Sequence, residues 1–183
     1  MHQPVEATLR RRGAGTSGSI AARMRDSDAA PDNFFKPGAR LSANDRLGYP
    51  INLYDEEAFG HTIEKHVNKT PEALIRQARE AFVQNPDAFD SRSGSFSSIE
   101  AATKLTNSTI AQNQAIVDQV ASGMRLRDVV ITHFLSITGI EVVVPSVTSP
   151  GYIRETYGVG VVIIHDRLSP RGFRILSAFP TNR

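Results

Sequence analysis

The chain has 183 residues, of which 40% are hydrophobic, none is cysteine, and the formal net charge is +2. That length suits one domain plus a tail with a real apolar core. The absence of cysteine excludes disulfides, thiol catalysis and the usual zinc frameworks. No apolar run reaches membrane-spanning length or follows Arg10-Arg11-Arg12 as in a signal peptide. Residues 1–50 hold eight Lys/Arg against five Asp/Glu, leaving a near-neutral thirteen against fourteen in residues 51–183. That balance argues against a non-specific DNA coat protein.

Residues 1–50 are rich in Gly, Ser, Ala, Asp, Arg and Pro without a sustained period, and read as a linker or disordered arm. Asn33-Phe34-Phe35-Lys36-Pro37 is its one sticky stretch, either packing on the domain or docking elsewhere. Asp55-Glu56-Glu57 opens a first helix with acids at its positive end, and Ala58, Ile63 and Val67 face inward. Gly60 to Pro71 concentrates His61, Lys65, His66 and Lys69, and reads as the end of that helix and an elbow into a second. Thr70-Pro71-Glu72 is a helix start, with a hydroxyl N-cap, proline at the first position and an early acid. The second helix runs from Pro71 to about Gln84, where Asn85-Pro86 stops it. Residues 87–94 read as a loop, Ser95-Phe96-Ser97-Ser98 as a short extended piece, and residues 99–122 as one long helix ended by Gly123.

Beyond Gly123 the period becomes strand-like. Residues 128–137 and 140–144 read as a hairpin turning at Thr138-Gly139, and 159–166 with 173–179 as a second hairpin. Helices followed by an antiparallel meander predict an α+β domain over residues 51–183. Alternation places Phe173, Ile175, Ser177 and Phe179 on one face of the last strand, so the Ser177 hydroxyl needs a partner in the core or on a ligand.

His66 stands near a helix C-terminus, where the dipole favours imidazolium and raises the pKa. His61 lies five residues earlier, about 140° around a regular helix, so the two rings point to different places and form no metal site. His133 and His165 fall in strands. No Ser/His/Asp nucleophile elbow is present, and Gly158-Val159-Gly160 lacks the helix and third glycine of a phosphate-binding fingerprint.

Several separated motifs occur in order. They are Gly60-His61-Thr62-Ile63-Glu64-Lys65-His66-Val67 with Lys69-Thr70, a Ser-Phe before a long helix, and Gly158-Val159-Gly160-Val161-Val162. The last is Arg174-Ile175-Leu176-Ser177-Ala178-Phe179-Pro180-Thr181. Together they resemble the bacterial ribonuclease A-like toxin domain at the carboxy-terminal ends of contact-dependent growth inhibition and other polymorphic toxin proteins. The resemblance implies a kidney-shaped, disulfide-free ribonuclease A-like fold and cleavage of RNA without metal or other cofactor. It also implies a monomer exported within a larger toxin, which acts in the cytoplasm of a target bacterium and is held off by a cognate immunity protein.

Carried over by position, the family's catalytic histidine falls on His66. Its catalytic arginine falls on Arg76, one residue early, or on Arg79, one turn later. Its terminal Thr-x-Tyr pair falls on Ser177 and Phe179, where Phe179 lacks the phenol. Lys69, Arg79, His61 and His165 are the implied substrate-binding groups. The chemistry suits these residue types, since RNA cleaves when its own 2′-hydroxyl attacks phosphorus. The enzyme supplies a base, an acid and donors around the phosphorane. The missing phenol leaves an alternative, a catalytically weak domain of the same fold that binds RNA or an immunity protein.

Overall fold

The computed structural model describes residues 50–183; the linker expectation for residues 1–50, Phe34 and Phe35 included, lies outside them except for Pro50. The described chain is α+β. Its elements are α1 (Leu53–Glu56), α2 (Thr62–His66), α3 (Pro71–Gln84), β1 (Ser91–Ser95), α4 (Ile99–Gln112), α5 (Gln114–Ala121), β2 (Arg127–His133), β3 (Gly139–Val144), β4 (Tyr152–Thr156), β5 (Gly158–His165) and β6 (Phe173–Thr181). They form two antiparallel three-stranded sheets, ordered β1-β3-β4 and β2-β5-β6. No helix among the described residues is long and apolar enough to cross a membrane.

Each sheet carries its own helices. On the first, α3 buries Leu74, Ala78 and Phe82 against Val142 and Val144, burials each worth about 1.5–3 kcal/mol for the larger side chains. On the second, Val117 and Val120 of α5 and Ala102 and Ile110 of α4 pack on Val159, Val161 and Ile163 of β5. The sheets meet where β6 runs past β1. Gly94 and Gly139 face Pro180 so closely that a Cβ on Gly94 would stand 2.3 Å from the Pro180 carbonyl oxygen.

The structure departs from the sequence reading in that β2 stops at His133 and β4 was not anticipated, and in four further places, each for a local reason. The first helix is two short ones, because Gly60 seats against the Leu176 carbonyl and Glu57 starts α2 afresh. The Glu57 carboxylate accepts from the N–H groups of Ile63 and Glu64, both at 2.8 Å. The long helix breaks at Asn113, whose amide donates to the Thr109 carbonyl at 2.8 Å and to Thr132 Oγ1 at 3.0 Å. Residues 91–95 are a strand despite their polar sequence, because Val142, Val143 and Val144 of β3 offer a ladder to pair with. The Thr138-Gly139 hairpin does not form. Instead β2 pairs with β5, and the buried Thr138 donates to the Gly158 carbonyl at 2.9 Å, marking the crossing from one sheet to the other. The hairpin of β5 and β6 forms as expected.

Candidate active site

A cleft of about 420 Å³ opens along the junction of the sheets, lined by His61, His66, Ser177, Phe179 and residues of β1, β2, β3 and β5. Its histidine is fixed from both ends. The α2 helix lies along the free edge of β6, where His61 N–H donates to the Leu176 carbonyl at 3.1 Å and Ala178 N–H donates to Thr62 Oγ1 at 2.9 Å. These bonds occupy backbone groups that an edge strand would leave open. On the other side Phe96 N–H donates to the His66 carbonyl at 2.8 Å, and Val67 bridges to Phe96. Asn68 then takes a left-handed conformation, φ 53°, and turns the chain into α3.

The His66 ring packs against Phe179 at 5.7 Å between centroids, and its Nδ1 donates to the Gly94 carbonyl at 2.9 Å. The carbonyl only accepts, so Nδ1 carries the proton and Nε2 the lone pair. Burial pushes the His66 pKa down to about 4, outweighing the hydrogen bond to Gly94, which acts in the opposite direction. The helix-dipole expectation is thereby reversed, because α2 has only five residues and desolvation is the larger effect. His61 shares the cleft at 6.3 Å between ring centroids. It is the N-cap of α2, φ −152°, so the angular argument for a regular helix does not apply to it. Its pKa is lowered as well, first by burial and then by Lys65.

Ser177 reaches the cleft through a β-bulge. Ile163 pairs with Ile175 and Val162 with Ser177, which leaves Leu176 as an extra residue. The bulge inverts the alternation, so the four-residue face expected from sequence is split. Phe173 and Ile175 face the core, Ala178 continues it, and Ser177 and Phe179 turn outward to the cleft. The Ser177 Oγ is buried without a hydrogen-bond partner among the described residues, as are Thr106 Oγ1 and Ser169 Oγ, but of the three only Ser177 lines the cleft. Opposite Phe179, Gly160 leaves room for the ring; a Cβ there would lie 2.8 Å from it.

Residues 60–180 match the family described as the bacterial CdiA-CT RNase A domain. The chain belongs to that family. Its members are ribonuclease toxins of contact-dependent growth inhibition, and the fold described above is the ribonuclease A-like fold without cysteines. Among solved structures it is similar to the CdiA-CT/CdiI complex from Y. kristensenii 33638, with a TM-score of 0.52 and 25% identity, over 67% of this chain and 99% of that one. No curated protein sequence matches it significantly.

In this CdiA-CT RNase A domain the structure brings together His66, His61, Ser177 and Phe179, and leaves four other expected residues outside the cleft. Arg76 and Arg79 are exposed on α3 and line a separate groove with Glu72, Ile75, Glu80 and Val83. Position 77, not 76, turns toward the sheet, and Gln77 Oε1 accepts from Ser93 Oγ at 2.7 Å. Lys69 lies past the elbow, where its backbone N–H donates to Ser95 Oγ at 2.9 Å. His165 caps α5, its Nδ1 donating to the Val120 carbonyl at 2.9 Å, and lies against Gly123.

The cations lining the cleft are Arg92, Arg127 and Arg183, none of which the sequence reading singled out. Arg92 holds Asp90 through Nε and Nη2, the shortest contact being 2.6 Å, and its Nη1 makes no hydrogen bond among the described residues. Arg183 reaches the same carboxylate at 3.4 Å. Glu141, also in the cleft wall, is buried and paired to Arg154 at 2.7 Å. Alternation within 91–95 was the available signal for Arg92, but only had that segment been read as a strand. No group of three or more His, Asp or Glu suited to a metal ion occurs among the described residues.

Proposed function

We propose that this domain is an endoribonuclease that cleaves RNA by transphosphorylation without a metal ion. His66 Nε2 takes the proton from a 2′-hydroxyl, the 2′-oxygen bonds to the adjacent phosphorus, and the bond from phosphorus to the 5′-oxygen breaks. The products are a 2′,3′-cyclic phosphate and a 5′-hydroxyl, the latter protonated by His61, the second imidazole of the cleft. Ser177 donates its otherwise idle hydrogen to a non-bridging oxygen, and Arg92 Nη1 supplies positive charge.

What carries this reading is the combination of a clamped, neutral His66 with an unpartnered, buried Ser177 hydroxyl in one cleft. With a pKa of about 4 the free ring is almost wholly in its base form at neutral pH. A base that weak gains strength when a dianionic phosphorane forms beside it, because the negative charge favours the imidazolium. Proton transfer of this kind contributes about 10²–10⁴-fold, and fixed donors at a developing oxyanion contribute comparably.

The similar Y. kristensenii protein was solved with CdiI. That likeness supports a cognate immunity protein in the cell that makes this domain; we further infer delivery as part of a larger toxin and action as a monomer in the cytoplasm of the recipient. The experiment is incubation of the domain with RNA and with DNA, with and without chelator. We expect RNA breakdown that chelator leaves unchanged, 2′,3′-cyclic phosphate ends and intact DNA. Cleavage of DNA, or chelator-sensitive cleavage, would overturn the reading. A protein that binds RNA and leaves it whole would favour a binding module, the alternative suggested by the missing phenol at Phe179.

A further inference from the structure

The outer face of β2 is built for something other than water. Val130 and Thr132 are buried, whereas Val129 and Ile131 on the opposite face are 44% and 39% exposed. A sheet with one solvated face ordinarily places polar residues there, and apolar side chains lining a cleft mark a ligand surface. The register sets these residues in rows across the sheet. Val129 pairs with Val162, which pairs with Ser177; Ile131 pairs with Gly160, which pairs with Phe179. The row beside Val129 begins with Arg127, which is exposed, lines the same cleft and forms no ion pair among the described residues.

We propose that this face of β2 is the binding shelf for the strand that flanks the cleaved bond. Arg127 pairs with a neighbouring phosphate, and Val129 with Ile131 takes an unstacked base. The occupant is single-stranded polynucleotide because the two chemistries alternate as they do along such a strand, apolar base faces beside anionic phosphates. Charge agrees with this occupant. The cleft wall carries three arginines, of which Arg92 and Arg183 share Asp90 and Arg127 has no ion pair among the described residues, and the carboxylate that lines it, Glu141, is already held by Arg154. Arg127 stands two strands across and two residues along from Ser177, roughly 10 Å and 7 Å respectively. It therefore meets an adjacent phosphate rather than the one attacked. The assignment rests on the ribonuclease reading for where cleavage occurs, but not for the binding itself.

The test uses a fluorescein-labelled 2′-O-methyl oligoribonucleotide, which has the phosphates and bases but no free nucleophile, with anisotropy read across a salt series. R127A is expected to bind roughly fivefold more weakly at low salt, and to lower the slope of log K against log salt by about 0.7, the loss of one phosphate contact on a single strand. The V129S/I131S double variant is expected to weaken binding without changing that slope. K104A, the same charge change at an exposed position on α4 outside the cleft, is expected to bind as wild type. All substituted side chains are exposed, so thermal midpoints check that the fold is kept. In cleavage assays R127A is expected to slow attack on long RNA but not on a dinucleoside monophosphate, which has no flanking phosphate. An R127A slope equal to that of K104A, or V129S/I131S binding equal to wild type, overturns the shelf, as would be seen if the face served only a protein partner. Arg127-dependent binding in a protein that cleaves no RNA would remove the ribonuclease reading and leave the shelf standing.

Discussion

Two grooves among the described residues are similar in size, and the one on α3 is the less equipped for chemistry. The one on α3 encloses about 500 Å³ against about 420 Å³ for the cleft at His66. Its lining comes from one helix, with Glu72, Arg76 and Glu80 at four-residue intervals, so acids and bases offset one another along a solvated face. The cleft draws on both sheets and α2, and each partner holds another in place. Gly94 fixes the His66 ring, Thr62 ties α2 to β6, and the bulge at Leu176 turns Ser177 outward. The difference teaches that a site is made where elements distant in sequence leave polar groups desolvated and uncommitted, not where a helix carries the right residue types.

Changing His66 is the strongest way to break that contrast. His66→Ala is expected to lower kcat by about 10²–10⁴-fold while the 2′-O-methyl oligonucleotide still binds, which anisotropy and initial rates together measure. A loss below tenfold would move the base elsewhere. Ser177→Ala follows, with kcat expected to fall by about a hundredfold. Stability is expected to hold or to rise by up to about 1 kcal/mol, since a buried hydroxyl without a partner is removed. A destabilised Ser177→Ala would mean that the hydroxyl is satisfied within the fold and is not reserved for substrate.

Acid sharpens the comparison further. The His66 pKa is 6.5 unperturbed and about 4 in the folded domain, so between those values the unfolded chain binds the extra proton. The stability from the neutral, buried ring is complete above pH 6.5 and is lost as pH falls toward 4, roughly 3 kcal/mol in all. Denaturant midpoints of wild type and His66→Gln across pH 4–7 should converge toward the acid end by about that amount. For the same reason the acid limb of kcat/KM should fall only near pH 4, while the need for a protonated His61, whose own pKa is lowered, makes kcat/KM rise as pH drops below 6.5; an acid limb centred near 6.5 would show a solvated His66 imidazole.

A smaller gain is expected at Phe179. Its ring already packs on His66 with room made by Gly160, so Phe179→Tyr adds a donor at the cleft without repacking. A several-fold rise in kcat, of the order of one weak added hydrogen bond, is the expected outcome. No rise would show that the phenol position points away from the phosphate.

Much of this arrangement was legible in the chain, and the exceptions have physical causes. Thr70-Pro71 fixed the start of α3, and the β5 and β6 runs paired as their β-branched residues suggested. Ser91 to Ser95 could not be read as a strand, because five small or polar residues carry no pattern until β3 supplies the ladder. The bulge left only a faint mark. Arg174 to Phe179 departs from strict alternation where Ile175 and Leu176 stand side by side, but only the pairing shift against Val162 and Ile163 divides core from cleft. Breaking a helix at Gly60 needed knowledge of the β6 carbonyls that it touches, which is tertiary information.

The smallest expected effect bears on the other groove. Arg76→Ala and Arg79→Ala remove exposed guanidinium groups whose surroundings are α3 itself and, for Arg79, the Ser149 carbonyl at 3.5 Å. Neither is expected to change kcat/KM on RNA by more than about twofold, the ordinary range for surface substitutions. Arg92→Ala should cost more, because Arg92 lines the cleft from β1, the strand whose Gly94 fixes His66. The ranking is the informative result. A larger loss in Arg76→Ala than in Arg92→Ala would require α3 to rotate by about one residue, 100° of helix, exchanging Gln77 for Arg76 opposite Ser93. Such a rotation would pull Leu74 and Ala78, both fully buried, out of their contacts with Val142 and Val144, at a stability loss of several kcal/mol. The packing of α3 thus opposes any role for its arginines at His66, and a rate measurement on two variants decides whether that opposition holds with RNA bound.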